Sequence, residues 1–98
     1  SGMNTEMNDW LWEKITDRQG ETFYTKKGLP FTYHVKGGEL FASRRERSIT
    51  RSTFEKALRK IQEAPGEMSG PKKLNVYGAP YVWAILWEIF LREEMQGG

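Results

Sequence analysis

The hydrophobic positions change period along the chain, and each change marks an element. Met7, Leu11 and Ile15 recur at helical spacing, so they share one face of a short first helix. Asn8 or Asp9 is placed to cap it around Trp10–Ile15, and Gly20 is a natural stop. From Thr22 the period is two. Thr22–Thr25 reads as a strand, Lys26-Lys27-Gly28 as a turn, and Phe31, Tyr33 and Val35 alternate with Thr32, His34 and Lys36 in a second strand. Gly37-Gly38 is a two-residue hairpin signal, and Glu39–Ala42 returns as the third strand. That loop sets Lys36 opposite Glu39, Val35 opposite Leu40 and His34 opposite Phe41. One face then carries Phe31, Tyr33, Val35, Leu40 and Ala42 as core. The other carries Tyr24, Thr32, His34, Lys36, Glu39 and Phe41.

Helical spacing resumes with Phe54, Ala57, Leu58 and Ile61. Thr50 as N-cap would let Ile49 and Phe54 close as a hydrophobic staple, while Ser52 with Glu55 is a competing capping box. Glu55 and Arg59 stand as an i, i+4 pair, and Pro65-Gly66 ends the helix. A loop over 65–73 leads to a short strand at Leu74–Tyr77, broken by Gly78. Pro80 suits the first turn of a last helix running to about Glu94. The order is α-β-β-β-α-(β)-α, an α+β fold in which a three-stranded antiparallel meander packs with helices.

The last helix is unusual because apolar residues cover nearly all of it. Val82, Ile85, Leu86 and Ile89 make one stripe; Trp83, Trp87 and Phe90 make another. Such a helix is buried all round or meets a partner. A central position, with Trp10 and Trp12 packed on it, is the first expectation. The Trp83/Trp87/Phe90 stripe as a protein-partner or homodimer surface is the second.

With 98 residues and 38% hydrophobic content, the chain suits a single domain over 3–98. Ser1-Gly2 reads as a cloning scar before a native Met3. Neither a basic, apolar leader nor a membrane span of roughly 20 apolar residues is visible, so a cytoplasmic protein is expected. Cysteine is absent and His34 is the one histidine, which leaves little for thiol, zinc or triad chemistry. Scattered carboxylates and missing nucleotide-loop and hydrolase motifs point away from an enzyme. No cofactor or metal is expected.

The net charge of +2 conceals a pattern. Glu21–Lys60 holds ten basic and four acidic residues, or +6, while the segments before and after are each −2. Arg44, Arg45, Arg47 and Arg51 crowd the start of the second helix. Cations there oppose the helix dipole, so the cluster reads either as a solvated turn or as a site for phosphate or an acidic side chain. Lys26, Lys27, Lys72 and Lys73 would extend such a surface. Tyr24, His34 and Phe41 would offer stacking if the polar sheet face is open rather than covered by the last helix. The function expected is a non-enzymatic module contacting nucleic acid or another polyanion. The alternatives are a protein-interaction module and a structural homodimer.

The α-β-β-β-α order up to Glu63 is similar in topology to a double-stranded-RNA-binding domain. That family's basic helix start and Gly-Pro loop are replaced here by Arg47 and Arg51 and by different turns, so none of its residues carry over. Tyr24–Leu58 ("YTKKGLPFTYHVKGGELFASRRERSITRSTFEKAL") followed by Gly70–Trp83 ("GPKKLNVYGAPYVW") resembles short α+β proteins of Gram-positive bacteria and their mobile elements. That resemblance implies a bacterial source; separately, a mobile-element product acting on a host nucleic-acid enzyme is one form of the protein-interaction reading. The resemblance implies no activity.

Overall fold

The all-apolar helix is α3 (Ala79–Leu86), and it lies inside the molecule: Val82, Trp83, Ala84, Ile85 and Leu86 are all buried. The computed structural model describes residues 2–44, 47–64, 66 and 69–91. Around α3 stand α1 (Gly2–Asp17), α2 (Arg51–Glu63) and five short strands: β1 (Phe23–Tyr24), β2 (Pro30–Phe31), β3 (Tyr33–Lys36), β4 (Glu39–Ala42) and β5 (Ile49–Thr50). α3 packs against α2 and β1 and continues into a single wider π turn, Trp87–Leu91, which meets α1.

The chain is α+β with a three-stranded antiparallel sheet, but its strands are distributed differently from the sequence pattern. β1 and β2 form a separate two-stranded ladder, with Phe23 opposite Phe31 and Tyr24 opposite Pro30. The larger sheet runs β3-β4-β5. Its first pair has the expected register, Val35 opposite Leu40 and His34 opposite Phe41. Its third strand is Ile49–Thr50, which pairs with Glu39-Leu40 just before α2 begins. The break at Thr32 separates the ladders without disturbing the alternation, because Phe31 and Tyr33 are both buried. The Leu74–Tyr77 segment, expected as a strand, is replaced by a 3-10 turn at Pro71–Leu74, a conformation that Pro71 initiates readily.

Two caps also differ. α1 starts well before Asn8, so Asp9 lies within the helix, and its carboxylate pairs with Arg51. Thr50 does occupy the N-cap position of α2, with Ile49 and Phe54 both fully buried. Its hydroxyl, however, bonds to Ser52 and Thr53 rather than to the helix backbone. The N–H of Arg51 instead donates to Gly38 O at 2.8 Å, fixing α2 to the hairpin turn. Glu55 pairs with Arg51 at 2.8 Å rather than with Arg59.

Two contacts join the layers. Tyr33 donates its buried hydroxyl to Ile15 O at 2.6 Å, satisfying a carbonyl in the last turn of α1. Gly78, at φ +68, opens α3 and accepts from the N–H groups of Tyr81 and Val82. A Cβ there would fall 2.7 Å from Ile49 Cδ1, so Gly78 supplies both the backbone conformation and the close approach of α3 to β5.

Gly78→Ala is expected to cost about 2–4 kcal/mol in urea unfolding, from left-handed strain plus the collision with Ile49. Burial raises the Tyr33 pKa above its usual value. The neutral phenol is therefore favoured in the folded state, and its stabilisation is complete below the unfolded-state pKa of about 10 and lost as pH rises beyond it. Tyr33→Phe is expected to lose about 1 kcal/mol at pH 7. It should also show a shallower loss of stability than the parent above pH 10 in urea titrations at each pH.

Candidate functional site

The arginine turn is tied into the fold. Arg44 Nε donates to Pro30 O at 2.6 Å, linking the end of β4 to β2. Arg47 lies over the Tyr77 ring at 4.9 Å, a cation–π contact. Arg51 binds Glu55 and Asp9, and these hydrogen bonds raise its pKa further. The two carboxylates offset the cation that would otherwise oppose the α2 dipole. Arg45 and the Phe90 side chain lie outside the described residues. The three described arginines thus serve different neighbours and line none of the clefts below.

The four lysines behave differently. Lys26 and Lys27 sit on the turn between β1 and β2. Thr25 closes that turn through its N–H to Leu29 O, its O to the Gly28 N–H, and its hydroxyl to the Leu29 N–H. Gly28, at φ +87, makes the bend possible. Lys72 and Lys73 ride on the 3-10 turn, which is held from below by Leu74, fully buried, and by the bond from Lys60 Nζ to Leu74 O at 2.7 Å. Lys26 Nζ donates to Ser69 O at 2.7 Å, across 43 residues of chain. The result is a cleft of 310 Å³ lined by Lys26, Lys27, Ser69, Gly70, Pro71, Lys72 and Lys73. All four lysines are exposed.

A second cleft, of 440 Å³, shares Lys26 and Ser69 with the first. Tyr24, Thr25, Trp83, Ala84, Trp87 and Glu88 complete its lining. The Trp83 and Trp87 rings are stacked, with centroids 5.9 Å apart and planes 26° apart. Trp83 is buried, Trp87 is half-buried, and Tyr24 is 62% exposed.

Residues that the sequence pattern assigned to three surfaces therefore meet at one. Tyr24 leaves the His34–Phe41 face, because β1 belongs to the other ladder, and it joins the tryptophans and the lysines. His34 and Phe41 do stack, 5.0 Å apart and 13° from parallel. His34 is exposed and Phe41 half-buried. Ser69, Gly70 and Glu88 carried no sequence signal, since their place depends on a contact between distant segments. Among the described residues, no three His, Asp or Glu side chains converge as a metal site. No helix among them is long and apolar enough to cross a membrane.

Gly70 lines the lysine cleft at its tightest point: a Cβ there would lie 2.8 Å from Lys26 Nζ. Its φ of 174 is ordinary extended backbone, so only the lysine end must yield. Gly70→Ala is expected to change stability by less than about 0.5 kcal/mol. It should still shift the NMR signals of Lys26 and Ser69 as the ammonium leaves the carbonyl. No protein-family model, curated protein or solved structure matches the chain.

Proposed function

We propose that this protein is a non-enzymatic nucleic-acid-binding module whose main contact is the lysine cleft. The supporting observation is that Lys26, Lys27, Lys72 and Lys73, from two turns far apart in sequence, line one cleft beside a second that holds the exposed Tyr24 and the half-buried Trp87. Four lysines around one cleft give it a positive potential, and each phosphate they neutralise releases condensed counterions. Lysine suits this because its ammonium is a point charge with three rotatable donors, which adapts to a backbone whose phosphates vary in position. Of the four, Lys26 has one donor committed to Ser69 O, which leaves its remaining hydrogens for a ligand.

The arginine turn takes a secondary part in this reading. Arg44, Arg47 and Arg51 already hold a carbonyl, a ring and two carboxylates, so binding there would weaken contacts the fold uses. The homodimer reading through the tryptophan stripe loses an anchor, because the Trp83 indole is buried within its own chain.

Fluorescence anisotropy of labelled oligonucleotides against the full chain tests the proposal. Four phosphate contacts predict an affinity loss between 50 and 200 mM salt of about 50-fold for a single strand and about 150-fold for a duplex. The triple change Lys27→Ala, Lys72→Ala and Lys73→Ala, all at exposed positions, is expected to lower affinity at least tenfold at 50 mM salt and to flatten the salt slope. Absence of binding at 50 mM salt by the parent chain would overturn the reading.

A further inference from the structure

The geometry points to a more specific ligand: a single-stranded nucleic acid that places one unstacked base in the Tyr24–Trp83–Trp87 cleft and its flanking phosphates on the lysines. This rests on the nucleic-acid reading and deepens it. Lysines alone would accept any polyanion, and an aromatic cleft alone would accept any flat apolar group. Here the two clefts are continuous through Lys26 and Ser69, so a ligand filling both must carry an aromatic ring directly beside anionic groups. A nucleotide unit has that composition.

Two features favour a base over other fillings. The aromatic cleft, at 440 Å³, is within the range of about 300–1,000 Å³ typical of small-ligand sites. Tyr24, 62% exposed, and the half-buried Trp87 both line it, so a flat ring entering the cleft covers aromatic surface. A duplex satisfies none of this, because its bases are paired inward and offer only their edges in the grooves.

The test uses the full chain and three probes: a mixed-sequence 12-mer single strand, the duplex of the same sequence, and inorganic polyphosphate of similar length. Affinity is followed by anisotropy or competition, and base contact by intrinsic tryptophan fluorescence. The single strand is expected to bind at least tenfold tighter than the duplex and to quench tryptophan emission, while polyphosphate binds without quenching. Trp87→Leu and Tyr24→Ala should each weaken the single strand about tenfold and leave polyphosphate affinity unchanged. Tyr24→Ala, at an exposed position, decides the matter if Trp87→Leu fails to fold by circular dichroism. Equal affinity for single strand and duplex, with no effect of either substitution, would overturn the base-binding inference and leave the broader nucleic-acid reading intact. Binding of polyphosphate as tight as that of the single strand would overturn it as well. Failure of all three probes to bind at 50 mM salt would overturn both.

Discussion

Enclosing α3 is the constraint on which the other elements depend. A helix apolar on every side leaves exposed hydrocarbon wherever a neighbour is missing, and a chain of 98 residues has few elements to supply. The molecule covers the helix with α2 on one side, β1 on another and the 3-10 turn along its start, and the π turn that extends it meets α1. Close approach is achieved with small residues at the tightest points. Gly78 admits Ile49, and Ala84 is buried among the helix's larger neighbours. The short strands follow from the same constraint. Pairs of two and four residues curve around a central helix more readily than a long, continuous meander does.

The ring contacts show how the layers are kept in register. Phe23 touches Phe31 across the small ladder and Tyr33 at the edge of the larger sheet, while Tyr81 meets Phe31 edge-on at 5.0 Å. Tyr33 then anchors α1 through its hydroxyl. The two ladders are thus joined by side chains and by the N–H of Ser43 to Thr32 O, rather than by one unbroken run of strand bonds.

Much of the fold was legible in the sequence because its signals are local. The Gly37-Gly38 turn dictated the β3–β4 register, and the spacing of Phe54, Ala57, Leu58 and Ile61 dictated the buried face of α2. What could not be read locally was partnership. Ile49 looked like a staple residue and is also a strand residue, because its backbone finds Leu40. Leu74 looked like strand and is the buried foot of a 3-10 turn. The candidate site was legible as residue types and not as a place. The lysines, Tyr24 and the tryptophans stood out individually, but the bond from Lys26 to Ser69 that assembles them spans 43 residues. Conversely, the arginine cluster was conspicuous in the sequence because its members are neighbours there, and in three dimensions Arg44, Arg47 and Arg51 face different partners.

Trp83 occupies a particular position in this arrangement. Its ring belongs to the buried core and also forms part of the wall of the aromatic cleft. Lys27, Lys72 and Lys73 stand on turns and Tyr24 is exposed, so those positions can vary with little penalty to folding. A change at Trp83 cannot be so confined, since any substitution that reshapes the cleft also reshapes the packing of α3. Drift at the rim can therefore reshape the mouth of the cleft, while the buried part of its lining stays fixed by the demands of the interior.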